Sequence, residues 1–306
     1  MSVSQPGGAA GAAAPQHPLV GVALFLFGLF LFACMDSTTK YLAERYDVPL
    51  IVAVRYAVNF LLLVALAAPT RGRMLVSTNR TGLVLVRGSC LAGASILVGM
   101  ALQRMPVAET TAITFLAPMI VVLIARPVLG ERIGALGWTA VVGGFLGVLL
   151  VVRPGSGLHA AGVAFALAAV GTNAGYQLLS RLLADSERTL AMIFYSVLIG
   201  TIAFGIAAPF FWGGPRPGPV ETLMFLSLGV YGGLGHYLFT YAFRRAPASV
   251  LAPMTYFQLL WATLLGWLLF GHLPDAVSVA GMAVIAASGL VIALKPRAPA
   301  PEEEAR

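Results

Sequence analysis

Apolar residues fall along this chain in long blocks rather than in short alternating runs. A helix needs roughly 20 mostly apolar residues to cross the hydrocarbon core of a bilayer. β-Barrel spans are shorter and alternate apolar with polar residues, which these blocks do not do. The blocks predict ten transmembrane helices, at residues 19–42, 49–69, 82–102, 106–126, 134–152, 158–180, 189–211, 220–243, 247–270 and 277–294.

The composition supports this prediction. Of 306 residues, 59% are hydrophobic and 10% are charged, against about a quarter charged in a soluble domain. That is too little charge to cover a water-exposed surface, so we predict an all-α membrane protein. The two cysteines, Cys34 and Cys90, both fall inside predicted spans. They suggest buried free thiols rather than a disulfide framework.

The net charge of +7 is spread over short loops, which argues against a nucleic-acid surface and for topology signals. With both termini in the cytoplasm, twelve basic residues lie in inner loops and tails and five in outer loops and span ends. The inner set is Arg71, Arg73, Arg80, Arg126, Arg132, Arg181, Arg188, Arg244, Arg245, Lys295, Arg297 and Arg306. The outer set is Lys40, Arg45, Arg104, Arg153 and Arg216. This bias predicts that both termini are cytoplasmic.

The chain also repeats itself at an offset of 141 residues. At that offset residues 100–106, MALQRMP, fall on residues 241–247, YAFRRAP. Further pairs in the same register are Lys40 with Arg181, Gly88 with Gly229, Pro106 with Pro247, and Gly130 with Gly271. Each copy holds five spans, and five is odd, so the second copy enters the membrane inverted. We predict repeats at 19–154 and 158–296, with disordered tails at 1–18 and 297–306.

Three segments give the chain a resemblance to a known family. One is the proline-led fourth span PVAETTAITFLAPMIVVLIARPVLGERI, with an internal Pro118 and LGE at 129–131. Another is its weaker counterpart PASVLAPMTYFQLLWATLLGWLLFGHLP, and the third is the glycine-rich GALGWTAVVGGFLGVLLVVRPG. These segments resemble the EamA-type members of the drug/metabolite transporter superfamily, and FACMDSTTKYLAERY is similar to a bacterial branch. One departure is that Phe270-Gly271-His272 stands at the second LGE position.

The resemblance implies a secondary transporter whose two halves surround a central cavity that opens alternately to each side of a bacterial cytoplasmic membrane. Members of that family move amino acids, nucleotide derivatives, vitamins and drugs, in either direction. The implied partners are a small-molecule substrate and the lipid bilayer, without nucleic acid, metal or cofactor. A coupling proton, a counter-substrate and a homodimer are left open.

Four ionisable residues lie in the outer part of the first repeat: Asp36, Lys40, Arg55 and Glu109. A charge inside a membrane is costly and therefore needs a reason. At the repeat offset their counterparts are Gln177, Arg181, Ser196 and Val250, so only Lys40 has a charged one. A cluster that the second repeat lacks suggests function, namely substrate binding or coupling. The alternative is that these residues are interfacial or paired for structural reasons.

Other candidates come from the remaining polar and aromatic residues in spans. His236 is the histidine deepest in a span, and it suits either a coupling role or a structural hydrogen bond. The cavity candidates from the second repeat are Asn173, Tyr176, Gln177, Tyr256, Gln258 and Trp261, with helix packing as the alternative. Arg87, close to the inner end of its span, is expected to snorkel to the headgroups.

Two other classes of function compete with transport. An intramembrane enzyme is disfavoured because HExxH and GxSxG motifs are absent and only Asp36 offers a deep aspartate. No GxxxxGK[ST] loop is present, so ATP does not drive the chain directly. A receptor or structural role is excluded by no residue, but the inverted repeat favours transport.

Overall fold

The computed structural model describes residues 18–129, 135–153, 156–183, 186–212, 215–242, 245–246, 250–251 and 254–293. Within these ranges the chain is helical and has no β-strand. The helices are α1 (Pro18–Ala43), α2 (Val48–Val76), α3 (Thr81–Leu102), α4 (Val107–Thr114), α5 (Ala117–Leu129), α6 (Ala135–Val152), α7 (Ala160–Leu183), α8 (Thr189–Ala207), α9 (Pro219–Ala242), α10 (Phe257–Phe270) and α11 (Ala276–Ala293). The predicted tails lie almost wholly outside the described residues.

Most of these helices suit a bilayer. Seven helical stretches in the described part of the chain are long and apolar enough to cross a membrane, and two shorter apolar helices, Phe257–Phe270 and Ala276–Val291, follow. Helix α7 is 24 residues long, but its polar residues, Asn173 and Gln177 among them, lower its hydropathy. The protein is therefore a multi-pass helical membrane protein.

The fourth apolar run is broken. Helix α4 ends at Thr114 and α5 begins at Ala117. Pro118 lacks the amide hydrogen that would bond to the Thr114 carbonyl, so the helix cannot continue through this point without losing a bond. The predicted span 106–126 is therefore two helices, interrupted next to Pro118. The ninth run has a similar turn at residues 255–256, directly before α10.

The helices pack in a pattern that mixes the two halves of the chain. The extensive contacts are those of α1 with α9, α3 with α7, α2 with α8 and α9, and α6 with α11. Helices α4, α5, α6, α7, α10 and α11 share one buried apolar cluster, centred on residues such as Ile113, Met119 and Ile285. A second cluster joins the end of α1 and the start of α2 to α8 and α9.

The contact between α6 and α11 depends on glycine. A Cβ added to Gly147 would lie 2.8 Å from the Gly281 carbonyl oxygen, and one added to Gly281 would lie 2.6 Å from the Gly147 oxygen. Gly143, one turn away, faces Ser288. The GxxxG motif at 143–147 therefore brings two backbones close together, as small residues do in membrane helices.

The same two helices are also joined by an ion pair at one end. Asp275 caps the start of α11 by accepting a hydrogen bond from the Ser278 amide at 2.7 Å. Its other oxygen lies 2.8 Å from the Arg153 guanidinium, just after α6. The Ser278 amide and then Arg153 lower the pKa of Asp275 to about 2, so this carboxylate stays charged throughout the physiological range.

We predict that Gly147→Ala lowers the free energy of unfolding by about 1–3 kcal/mol, because the new methyl group meets backbone rather than a flexible side chain. The matched control is Gly171→Ala in α7, where an added Cβ meets no atom within 4 Å. That control should be neutral or stabilising by up to about 1 kcal/mol. Thermal unfolding of the purified variants in detergent measures both, and equal midpoints would contradict the close approach.

Candidate functional site

Arg55 stands at the centre of a group of polar side chains contributed by several helices. It is half-buried in α2, with Nη1 3.9 Å from the Met35 sulfur and the guanidinium 5.4 Å from the centre of the Tyr56 ring. The Asp36 carboxyl on α1 lies within range of direct electrostatic interaction with Arg55. The two form no ion pair within 4 Å.

His236 adds helix α9 to this group. Its ring packs edge-on against Phe32 at 4.8 Å and lies within electrostatic range of both Arg55 and Arg87. Surrounding protein atoms partly desolvate the imidazole, although the residue as a whole is solvent-exposed. The contact with Phe32 places the imidazole of α9 against α1.

Helix α7 contributes three of the predicted residues on one face, Asn173, Tyr176 and Gln177. All three are half-buried. The Tyr176 hydroxyl lies 2.9 Å from Arg87, and Tyr176 is within electrostatic range of Tyr56. Asn173 and Gln177 form no side-chain hydrogen bond with any residue that the structure describes.

Four members of this group form no side-chain hydrogen bond with the described residues: Asp36, Asn173, Gln177 and His236. A polar group inside a membrane bundle that lacks a protein partner requires water or a ligand. We refer to these four residues, together with Arg55, as the candidate cleft; they comprise one guanidinium, one carboxylate, two amides and an imidazole.

Arg87 is placed differently from what its position along α3 predicts. It is only 5% exposed, and its guanidinium donates hydrogen bonds to four oxygens of α7 and α8. These are Ser180 Oγ (2.7 Å), the Met192 carbonyl (3.0 Å), Ser196 Oγ (2.9 Å) and Tyr176 Oη (2.9 Å). The expectation that it snorkels is wrong, because acceptors on the neighbouring helices hold it inside the bundle.

Lys40 lies apart from the cleft, where its ammonium caps a helix. It donates hydrogen bonds to the carbonyls of Leu102 (3.1 Å) and Met105 (2.9 Å), and it lies 5.5 Å from the centre of the Phe270 ring. A cation at the C-terminal end of α3 stabilises the helix dipole. These contacts favour the structural alternative for Lys40.

Glu109 also has a specific partner outside the cleft. Its Oε1 lies 2.9 Å from Nε2 of His272, in the turn between α10 and α11. This contact explains why Phe270-Gly271-His272 departs from LGE. A glutamate at position 272 would bring two carboxylates together, whereas a histidine there shares a hydrogen bond.

The remaining candidates belong to two separate clusters. Tyr256 packs against Phe115 at 5.3 Å, next to the break between α4 and α5. Trp261 packs edge-on against Phe30 of α1 at 5.2 Å, and its indole nitrogen is buried without a partner. Gln258 is half-buried on the first turn of α10 and has no described side-chain hydrogen bond. Tyr256 and Trp261 therefore face different neighbours.

Sequence reasoning missed two functional contacts, those of Arg87 and His272. For Arg87, the available signal was the set of hydroxyl residues on α7 and α8. For His272 it was the departure from LGE itself. Within the described ranges, no three His, Cys, Asp or Glu side chains come together in a way that could hold a metal ion.

We predict that Arg87→Lys is more destabilising than Arg87→Met. Lysine keeps the buried charge but cannot reach four acceptors on two helices, which should cost about 2–4 kcal/mol. Methionine removes the charge, and Ser180 and Ser196 keep their own bonds to the backbone. If Arg87 instead snorkelled to the headgroups, Arg87→Lys would be the less destabilising of the two substitutions. Thermal unfolding in detergent, with Arg73→Lys at the end of α2 as the control, decides between them.

Comparisons with known proteins agree with this architecture. The sequence model of the EamA-like transporter family matches residues 19–153 and again residues 160–294. The pseudopaline exporter of Pseudomonas aeruginosa is 28% identical over 269 residues, which is 87% of this chain and 93% of that protein. A protein of known crystal structure, 20% identical, covers 90% of this chain and 96% of its own with a TM-score of 0.62, which shows a shared fold.

Two further relatives carry names for other solutes. The S-adenosylmethionine uptake transporter of Rickettsia bellii is 24% identical over 274 residues, covering 89% of this chain and 93% of that protein. The riboflavin transporter of Rhizobium johnstonii is 27% identical over 285 residues, covering 91% and 92%. With the family model matching most of the chain, the protein is a small-metabolite transporter rather than an enzyme, and it belongs to the EamA-like transporter family.

Proposed function

We propose that this protein is a secondary transporter that works by alternating access in a bacterial cytoplasmic membrane. It crosses the membrane ten times as two inverted repeats, and it binds a small zwitterionic metabolite in the cleft around Arg55. The observation that carries the proposal is the relation of Asp36 to Arg55, which interact electrostatically without forming an ion pair within 4 Å.

The packing of the helices supports a two-fold relation between the halves. Under the repeat, α1, α2 and α3 correspond to α7, α8 and α9. The contact of α1 with α9 then has the contact of α7 with α3 as its counterpart, and the contact of α2 with α9 has that of α8 with α3. Individual residues follow the same register of 141. A Cβ on Gly21 would lie 2.7 Å from the Ala246 Cβ, and a Cβ on Gly162 would lie 2.5 Å from the Met105 Cγ. The pairs 21 with 162 and 105 with 246 are both counterparts at that offset.

A pair of polar contacts supports the inversion. At one end of α2, Glu221 accepts hydrogen bonds from Tyr46 (2.7 Å) and Arg45 (2.8 Å). At the other end, Glu187 accepts hydrogen bonds from the backbone amides of Asn79 (2.8 Å) and Arg80. Positions 46 and 187 are counterparts, and so are 80 and 221. Related contacts at opposite ends of one helix are what an inverted repeat produces.

The cleft suits a ligand that carries both charges. Arg55 can hold a carboxylate through two parallel hydrogen bonds, and Asp36 can pair with an ammonium. The amides of Asn173 and Gln177 offer neutral hydrogen bonds to the rest of the ligand. The Rickettsia bellii relative is named for S-adenosylmethionine uptake, so we use that compound as the first probe of this site.

We predict that Arg55→Lys and Asp36→Asn each slow S-adenosylmethionine exchange in proteoliposomes by at least about tenfold. The reason is that loss of one charge-assisted pair costs about 1.5–3 kcal/mol. The matched control is Arg45→Lys, outside the cleft, which should stay within about twofold of the wild-type rate. Wild-type exchange by both cleft variants from about pH 5 to about pH 8, with normal membrane insertion, would show that the pair is structural.

Topology is tested by cysteine labelling in a Cys34→Ser, Cys90→Ser background. Ser77, after α2, and Arg216, before α9, are both exposed. We expect a membrane-impermeant maleimide to label Arg216→Cys in intact cells and to label Ser77→Cys only after permeabilisation, because the basic residues favour cytoplasmic termini. Labelling of both positions in intact cells would contradict the proposed number or orientation of spans.

A further inference from the structure

Glu109 is a buried carboxylate in which one oxygen has a hydrogen-bond partner and the other has none among the described residues. It lies in the first turn of α4 and is 3% exposed. Oε1 contacts His272 Nε2 at 2.9 Å, and Oε2 is buried without a hydrogen-bond partner in the described structure. An ionised carboxylate in this state is costly, because half of its acceptor capacity is desolvated and unused.

His272 connects this carboxylate to water. Its side chain is 41% exposed, against 4% for that of Glu109. Histidine is the side chain that changes charge near neutral pH, and its ring can accept or donate the proton of the shared hydrogen bond. A proton from solvent can therefore reach the buried carboxylate through the imidazole alone.

Few other charges face the pair. Helix α1 contributes Lys40, within electrostatic range of Glu109, and Glu44, within range of Lys40. Arg104, in the turn before α4, is bonded to Gln103 and the Met100 carbonyl. Arg153 and Asp275 neutralise each other. Helices α6, α10 and α11 contain no Asp, Glu, Lys, Arg or His, and the one such residue in α7, Arg181, lies at its far end. His159, just before α7, accepts a hydrogen bond from the Ala161 amide.

We propose that Glu109 and His272 form a site that binds one proton from solvent, and that this proton holds the two halves of the transporter together at this end. The proposal rests on the proposed repeats, because Glu109 belongs to the first half and His272 to the second. With the proton bound, the pair is an imidazolium and a carboxylate, or a neutral imidazole and a carboxylic acid. When the proton returns to solvent through His272, the buried carboxylate loses its compensation.

The sign of the effect follows from this. The contact is closed at low pH, where the pair carries its proton, and weakens as pH rises and the proton leaves. The counterpart of Glu109 at the repeat offset is Val250, so the second half has no equivalent carboxylate. The proposed site therefore occurs once per chain and binds one proton.

The direct test is an infrared titration of the full-length protein in lipid nanodiscs from about pH 5 to about pH 8.5. We expect a carboxyl signal that changes with pH and disappears in Glu109→Gln. In His272→Gln, the midpoint should move by at least about one pH unit, a tenfold change in proton affinity. The control is Glu187→Gln, another buried acid, which should leave the signal unchanged. A Glu109 signal that His272→Gln does not move would overturn the proposal.

A second measurement tests the contact between halves without any substrate. Spin labels at Tyr41→Cys on α1 and Leu273→Cys beside His272 occupy exposed positions in the background that lacks Cys34 and Cys90. We expect a longer distance population at high pH that vanishes at low pH, and no pH response in Glu109→Gln. A distance independent of pH in the wild type would also overturn the proposal. Failure of the wild type to exchange any probe would instead contradict the proposed function, and the infrared result would be unaffected.

Discussion

A charge in the hydrocarbon layer must be compensated by the protein itself, and this constraint fixes where the ionisable residues of this chain point. Arg87 is held by four oxygens of two neighbouring helices. Lys40 is held by carbonyls at the end of α3. Glu109 shares a hydrogen bond with His272. Asp36 and Arg55 form no ion pair within 4 Å and are compensated only in part, which is why the proposed function places a charged ligand beside them.

Two of these compensating contacts, those of Arg87 and Glu109, cross between the two halves, so they bear on motion as well as stability. Arg87 joins α3 to α7 and α8, and Glu109 joins α4 to the turn before α11. A transporter that alternates must keep some of these contacts and break others. A bond network buried on all sides, like that of Arg87, suits a fixed axis. A single bond with an exposed partner, like that of Glu109, suits a contact that opens.

The sequence alone predicted the parts of this structure that depend on local physics. The apolar runs became helices, most of them long and apolar enough to cross a membrane. It could not predict the partner of Arg87, because depth along one helix does not say which neighbour faces the side chain. The same limit applies to Tyr256 and Trp261, which are close in sequence but pack against different helices. The departure at His272 was a more specific signal of a tertiary contact, because it marks one position rather than a set of hydroxyl residues on two helices.

The position of Arg87 also changes what the asymmetry of the two repeats means. Ser196 is the counterpart of Arg55, so the second half lacks its own guanidinium at this position. Yet Arg87 of the first half donates to Ser196 and to Tyr176, and Tyr176 is the counterpart of Met35, the residue that Arg55 touches. Under the proposed repeat, the cleft therefore keeps a guanidinium at both related positions although the sequence shows only one. The two differ in their partners: four protein oxygens accept hydrogen bonds from Arg87, whereas Arg55 has Met35, Tyr56 and the more distant Asp36 beside it. Under the proposed function, Arg55 is therefore the guanidinium that binds a carboxylate.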